Sequence, residues 1–206
     1  MAAVFALTCA DRVVAQEPPP RIPWFVMDVH GTIPRFPNSA VLAESRAMTL
    51  AELPGAGFGL QASIHLYPAR WRAVTFGIGA EVAGSRARSQ PSPEVSSARA
   101  ADEKFLTAAP QLSFNFGTGD GWSYLSGGIG LSQWSLIPSG REPWPSDIER
   151  LKTINYGGGA RWFAKSHLAF SFDVRFYAIN PGPPYLGHEG SPRTTLMIIG
   201  AGVSIK

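Results

Sequence analysis

Four histidines and a few acids and arginines are the residues of this chain that could do chemistry. Asp28 and His30 stand two positions apart in one candidate strand, so their side chains would share a face and could bond to a common neighbour. His188 and Glu189 are adjacent in a long polar segment, and a Ser-His pair occupies 166–167. Catalysis needs a base or nucleophile together with an orienting group and a substrate site. None of these pairs supplies that set, so the sequence predicts no catalytic residues and no enzyme activity.

A metal or cofactor site is the second kind of chemistry to consider. His30, His65 and Glu81 carry atoms that can bind zinc, but three separate strands would have to bring them to one height. The glycine-rich runs at 127–130 and 157–159 lack the following helix that would present N–H groups to a phosphate. We therefore expect no metal, no nucleotide and no other cofactor.

Composition narrows the class of protein. Of the 206 residues, 45% are hydrophobic and only 16% are charged, against about 25% charged in soluble domains. This length suits a single domain, and the net charge of +3 is scattered, so we expect no nucleic-acid partner. No stretch reaches the roughly 18 apolar residues of a membrane-spanning helix, yet closed barrels cross membranes without one.

Alternation of apolar and polar residues recurs eight times, as expected of β-strands with two unlike faces. In the seventh segment Phe170 and Phe172 fall on one face, and Asp173 and Arg175 fall on the other. The predicted strands cover 23–35, 56–67, 71–84, 104–116, 122–135, 152–163, 167–179 and 194–206.

The connections between these segments alternate between long and short. The long ones are 36–55, 85–103, 136–151 and 180–193, and the short ones follow residues 67, 117 and 163. An even number of antiparallel strands, with short turns at one end and long loops at the other, is typical of outer-membrane barrels. The sequence therefore predicts an all-β fold, an 8-stranded antiparallel up-and-down transmembrane β-barrel, over 23–206.

The polarity of the two faces predicts which side meets lipid. One face carries Phe, Leu, Ile and Val on most strands, whereas the other is rich in glycine and carries few charges. Glycine weakens a strand, but a narrow lumen needs the space that glycine leaves. We expect the few charged groups to be paired inside the lumen, since unpaired buried charges are costly. The predicted lumen network comprises Asp28, His30, Glu81, Arg161, Asp173 and Arg175.

Aromatic residues concentrate at the ends of strands that meet short turns. Girdles of Trp and Tyr are typical of membrane interfaces. The predicted periplasmic girdle comprises Trp24, Tyr67, Trp71, Trp122 and Trp162.

Two features do not fit a regular barrel. Pro110 lies inside the fourth segment, where it removes a ladder hydrogen bond. Leu196 and Ile198 are apolar but fall on the lumen side of the last segment. Either they lie near the extracellular rim, or a bulge shifts the register.

The N-terminus has features of a secretory signal. The apolar run MAAVFALTCA is followed by Val13-Val14-Ala15, with small residues at the −3 and −1 positions of a cleavage site. We expect 1–15 to be a signal peptide and 16–22 to be a proline-rich lead-in. Cys9 is the only cysteine, so its removal with the signal would exclude disulfides.

The segment GGGARWFAKSHLAFSFDVRFYAINPG resembles a hairpin of the small outer-membrane β-barrel proteins. That group includes the outer-membrane protein A-type transmembrane domain and the opacity-type porins. Its members place an Asp-x-Arg pair after a Gly-rich strand and a turn, here Asp173 and Arg175. The resemblance implies the cell outer membrane, with the lipid bilayer and lipopolysaccharide as partners. It also implies insertion by the barrel-assembly machinery, which reads the last strand, here ending in Lys206 rather than an aromatic residue.

Together these features predict an integral outer-membrane protein with a structural or surface-interaction role, a narrow pore being a variant. The ligand of its surface loops is not predicted. The alternative is a secreted or periplasmic lipocalin-like carrier, whose apolar face would line a cavity for a hydrophobic ligand. Arg86, Arg88, Arg99 and Lys104, around the second long loop, either contact lipopolysaccharide phosphates or belong to a solvated loop.

Overall fold

Eight antiparallel strands form a closed barrel in the computed structural model, which describes residues 20–90, 98–140, 142–184, 187 and 189–206. Each strand pairs with the next, and the last pairs with the first. The predicted fold is confirmed. The expected signal peptide 1–15 and most of the lead-in lie outside the described residues. The strands are β1 (Phe25–Arg35), β2 (Phe58–Trp71), β3 (Val74–Arg88), β4 (Ala101–Thr118), β5 (Gly121–Pro138), β6 (Ile148–Phe163), β7 (Leu168–Ile179) and β8 (Thr194–Ile205).

Long and short connections are segregated to opposite ends of the barrel. Two to four residues connect β2 to β3, β4 to β5 and β6 to β7, at what we call the short-turn end. The other connections are at the long-loop end. The first of them contains helix α1 (Ala40–Ser45) and a 3-10 turn at Leu50–Glu52, and the third contains a 3-10 turn at Pro145–Asp147. No helix in the described part of the chain is long and apolar enough to cross a membrane.

The outer surface of the barrel is apolar and its lumen is polar. Phe170 is 68% exposed and Phe172 is 43% exposed, whereas Asp173 and Arg175, on the opposite face of the same strand, are buried in the lumen. The same polarity holds for the outward residues of the other strands, such as Leu112 and Ile129. A carrier of hydrophobic ligands would need the opposite arrangement, so the lipocalin-like alternative is not favoured.

A β-bulge at Pro68 reverses the direction in which the side chains of the last residues of β2 point. Leu66 pairs with Ile78, but Ala69 pairs with Phe76, so β2 has one extra residue in this interval. Proline cannot donate a ladder hydrogen bond, and a one-residue shift moves later side chains to the other face. Trp71 consequently faces outward and pairs with Val74. The strand continues through the predicted turn at 68–70, and the turn itself is at 72–73.

Pro110 is accommodated inside β4 with a local interruption on one side. It pairs with Ala80 of β3, but the pairing of β4 with β5 skips from Ala108 to Leu112. The missing N–H of Pro110 explains why that side of the ladder is interrupted.

Glycines in the lumen are needed where a side chain would have no room. A Cβ added at Gly159 would lie 2.0 Å from the carbonyl oxygen of Phe172 and 2.7 Å from the hydroxyl oxygen of Tyr124. Large side chains from other strands therefore fill the room that glycine leaves, as expected in a narrow barrel.

Candidate functional site

The lumen near the short-turn end is crossed by an ion pair between the first and sixth strands. Arg161 donates from Nε and Nη2 to the two oxygens of Asp28, both at 2.7 Å. Ser204 and Ser63 donate to the same carboxylate at 2.6 and 2.8 Å. The Arg161 guanidinium also lies 4.0 Å from the centre of the Tyr124 ring. Asp28 therefore has four donors, and the pair is fully enclosed by protein.

A second ionic group, centred on Arg175, fills the middle of the lumen. Its Nε lies 2.8 Å from Glu81 Oε2, and its Nη2 lies 3.0 Å from Asp173 Oδ2. Tyr177 donates to Glu81 at 2.7 Å, and Tyr124 donates to Asp173 at 2.8 Å. One guanidinium thus holds two buried carboxylates together, and two tyrosines complete their hydrogen bonding.

The two lumen histidines lie beside these ion pairs. His30 Nε2 lies 2.7 Å from Ser171 Oγ, and His65 is equally buried. The carboxylate of Glu81 is taken by Arg175, so it does not join the histidines as a third ligand. Among the described residues, no group of three or more His, Cys, Asp and Glu side chains could hold a metal ion. The five charged residues of the predicted network therefore form two ionic groups, and His30 lies beside them with Ser171 as its hydrogen-bond partner.

The aromatic girdle prediction was wrong for Tyr67 and Trp122. Both are buried inside the short-turn end of the lumen, where the Trp122 ring stacks on Phe163 at 5.0 Å and meets the edge of Tyr67 at 6.2 Å. The alternation along each strand could have revealed this, because residues two positions apart face the same side. Tyr67 therefore faces the lumen with His65, and Trp122 faces it with Tyr124. Outward-facing residues of the predicted girdle remain at this rim: Trp24, Trp71 and Trp162, all at least 60% exposed.

An apolar cluster fills the lumen at the long-loop end. Leu196 and Ile198 are fully buried in it, at the rim of the long-loop end, and the pairing of β8 shows no bulge, which agrees with the first of the two explanations. The first long loop supplies five of the sixteen described members of the cluster. Its helix α1 begins after Ser39, whose side chain accepts a hydrogen bond from the Leu42 N–H. The cluster includes Phe36, Leu42, Met48, Leu53, Phe105, Trp134, Leu136, Tyr177, Leu196 and Ile198.

A buried ion pair fixes the first loop over this cluster. Arg46, just after α1, donates from Nη2 to Glu149 Oε2 of β6 at 2.7 Å. Ser191 of the last loop bonds to both groups, and its backbone N–H reaches Glu149 Oε1 at 3.2 Å. Three segments that are distant in sequence are thereby joined at one point. We call this arrangement of the first loop over the lumen the cap.

Glu52 ties the cap to the second long loop. Its carboxylate accepts from the backbone N–H of Thr49 at 2.7 Å and of Arg99 at 2.8 Å. Burial raises the pKa of Glu52, but the two N–H donors and the Arg99 guanidinium outweigh it and hold the pKa below its usual value. Glu52 therefore stays ionised near neutral pH and keeps both bonds.

Replacing Arg46 with alanine should open the cap and leave the barrel folded. The change leaves the Glu149 carboxylate without its cation inside a buried site, which is unfavourable. We expect amide hydrogen exchange in 39–53 to rise at least tenfold in R46A, while exchange in the β-strands stays unchanged. The exposed Arg35→Ala variant is the control. Equal protection of 39–53 in both variants would contradict this role of Arg46.

The remaining residues considered for catalysis lie apart from the lumen. Ser166 and His167 are exposed in the turn between β6 and β7, and Glu189 is exposed in the last loop. His188 lies outside the described residues. The sequence did not predict Arg46, Glu149 or the cap. The signal was the apolar content of the first loop, which is high for a solvated segment.

Comparison with known proteins gives the fold a context. No family model and no curated protein matches this sequence. Solved structures do match, and the following three match over most of both chains at 14% identity or less. Neisserial surface protein A has 14% identity and a TM-score of 0.56, with 89% of this chain and 97% of that one covered. The attachment invasion locus protein Ail of Yersinia pestis has 11% identity and a TM-score of 0.54, with 88% and 96% covered.

A third structure, the outer membrane protein OprG of Pseudomonas aeruginosa, has 12% identity and a TM-score of 0.51, with 91% and 97% covered. At such low identity the similarity concerns the path of the backbone. It agrees with the strand number, the strand order and the closure described above. The chain therefore has the fold of the small outer-membrane β-barrel proteins.

Proposed function

We propose that this protein is an integral barrel of the cell outer membrane with a structural or surface-interaction role. The observation that carries the proposal is the exposed hydrocarbon band around a lumen that contains paired charges. In water, a contiguous apolar surface of this extent would drive aggregation. In a bilayer the same band is the favourable surface of an outer-membrane barrel.

The interior favours a surface role over the pore variant. Near the short-turn end, Trp122 and Tyr67 fill the lumen, and the two arginine-centred groups cross its middle. At the long-loop end, the apolar cluster and the cap cover it. A continuous water path would have to displace paired charges and packed aromatic rings, so the lumen should conduct poorly.

The contacts between loops at the long-loop end support the surface-interaction part of the proposal. Arg46 bonds to Ser191 and Glu52 bonds to Arg99, so the described residues of the first loop are held against parts of the last and second long loops. One protein with a similar fold is named for attachment and invasion, and a structure of it holds the heparin analogue sucrose octasulfate. By analogy, we propose that the partner of this chain contacts its long-loop end.

No catalytic role is part of this proposal, because the lumen acids and arginines are already paired with one another. During biogenesis the partner would be the barrel-assembly machinery. β8 closes the barrel against β1 and would be the strand that this machinery reads.

Fractionation combined with heat-modifiable gel migration tests the proposal. We expect the protein in the outer-membrane fraction, as a compact band that shifts after boiling. Purified protein in planar lipid bilayers should give no steady conductance. Protein that stays soluble without detergent would refute the membrane location, and stable ion channels would refute the closed lumen.

A further inference from the structure

The outward face of four neighbouring strands changes from apolar to polar residues, mostly cations, towards the long-loop end. On β3, Val82 is followed by Gly84 and then Arg86, and on β4, Leu106 is next to Lys104 in the outward series. On β5 and β6 the same change occurs after Leu131 and Ile154, where the outward residues become Gln133, Lys152 and Arg150. The register shifts this change by one outward residue between β4 and β5, where Leu106 pairs with Gln133, and again between β5 and β6, where Leu131 pairs with Lys152. A change from apolar to polar and basic outward side chains is typical of the boundary between acyl chains and headgroups.

Arg86 and Lys104 are the two cations of this polar region that lie on β3 and β4. They are direct partners across the β3–β4 ladder, so their side chains leave the sheet next to each other. The Arg86 guanidinium lies 4.5 Å from the centre of the Phe58 ring. Within the described part of the chain, neither Arg86 nor Lys104 forms an ion pair, whereas Arg88 approaches Asp102 at 4.0 Å. Two adjacent cations thus lack a carboxylate partner at the membrane boundary.

An apolar groove runs from this pair into the hydrocarbon band. It has a volume of about 730 Å³ and is lined by Phe58, Leu60, Gly84 and Leu106, with Arg86 and Lys104 among its residues. Gly84 makes the groove, because its Cβ position faces outward with Leu106 Cδ1 as the nearest atom at 3.6 Å. A side chain longer than alanine at position 84 would occupy the space.

We propose that this groove binds one molecule of phosphorylated glycolipid, the lipopolysaccharide of the outer leaflet. An acyl chain would lie over Gly84 between Leu60 and Leu106, and a phosphate would accept hydrogen bonds from Arg86 and Lys104. The inference rests on the proposed function, because it takes the long-loop end to be extracellular. Charge complementarity assigns the headgroup, since adjacent cations recognise a phosphate with charge-assisted bonds.

The groove beside the two cations favours a phosphorylated lipid over a free phosphate. The cations lie at the exposed margin of the groove, where a free phosphate would lose little by staying in water. An acyl chain in the adjoining groove adds apolar contact that a free phosphate lacks. Both parts of the site are therefore needed for affinity.

Native mass spectrometry of the purified full chain in detergent tests this site. The probes are diphosphorylated lipid A, dephosphorylated lipid A, phosphatidylglycerol and inorganic phosphate. We expect one lipid A per chain. R86Q/K104Q should weaken its binding about tenfold or more, since each cation near an anionic headgroup contributes on the order of 1 kcal/mol. G84L should weaken it similarly by filling the groove, while G84A should bind like the wild type.

The matched control is R70Q/R72Q, which removes two exposed cations from the short-turn end. Unchanged lipid A binding in this control supports the site, and an equal loss in both double variants overturns it. Equal binding of phosphatidylglycerol would overturn the glycolipid assignment, and equal binding of dephosphorylated lipid A would overturn phosphate recognition by Arg86 and Lys104. Equal binding of inorganic phosphate would overturn the contribution of the apolar groove to affinity. If R86Q/K104Q does not give a heat-modifiable band, the single variants R86Q and K104Q are measured, each with about a fivefold expected loss.

Failure of this binding test and failure of the proposed function can be told apart. Lipid binding is measured on purified protein, so failure of fractionation would refute the membrane location without affecting the binding result. Conversely, an outer-membrane protein with no preference for lipid A would keep the proposed function and lose this site.

Discussion

Replacing Arg175 with methionine should cost about 3–5 kcal/mol of unfolding free energy, because it leaves two carboxylates without their shared cation. Arg175 is the group that holds Glu81 and Asp173 together in the middle of the lumen. Methionine keeps much of the volume and the apolar stem, so the loss reports on charge and hydrogen bonds rather than on a cavity. The measurement is urea-induced unfolding from lipid vesicles, followed by tryptophan fluorescence.

Two further variants make the result specific to the ion pairs. Arg175→Lys keeps the charge but cannot span both acids with a planar fork, so we expect an intermediate loss. Arg150→Met removes an exposed arginine from the outer face of β6 and should change stability by about 0.5 kcal/mol or less. If R175M and R150M had the same effect, the lumen network would not be what stabilises the barrel. Where R175M yields too little folded protein, the heat-modifiable fraction after refolding replaces the unfolding curve.

The second large effect is expected at the pair of Asp28 and Arg161. Asp28→Ala leaves the Arg161 guanidinium buried with aromatic rings but no carboxylate, and we expect a loss of about 3–5 kcal/mol. The double variant D28A/R161M removes both charges. It should be more stable than D28A, because replacing a whole buried pair with apolar groups is often close to neutral.

The double variant should still be less stable than the wild type. Ser63 and Ser204 both donate to Asp28, and each loses its acceptor in the double variant. A buried donor without a partner costs about 1–3 kcal/mol. Urea unfolding of the wild type, both single variants and the double variant forms a thermodynamic cycle. Additive losses with no coupling would show that Asp28 and Arg161 do not stabilise each other.

The sequence was sufficient to predict the barrel because its two main signals are local. Alternation in 168–177 separates Phe170 and Phe172 from Asp173 and Arg175, and a soluble sheet would not place glycine on its wet face. The segregation of long and short connections then identifies the two ends. These features depend on neighbouring residues and on counting along the chain, so no contact had to be known in advance.

The parts that were missed depend on contacts between distant segments. Nothing near Arg46 in sequence indicates that Glu149 and Ser191 are its partners, so the cap was not predicted. The Pro68 bulge was missed as well, because proline next to a strand end favours a turn as much as an irregular strand. Tyr67 and Trp122 were assigned to the girdle by their position at strand ends. Their alternation along the strand, which places them inside, was the better guide.

The central ion pairs join parts of the chain that are synthesised far apart. Arg161 follows Asp28 by 133 positions, and Ser204 follows it by 176. The Asp28 carboxylate therefore gains its full set of donors only after the first and last strands have paired. Closing loops of that size is entropically slow. We therefore expect the barrel to assemble cooperatively and late. A sheet that lacks β8 would carry charged side chains with incomplete hydrogen bonding, so it would stay outside the lipid until β8 pairs with β1.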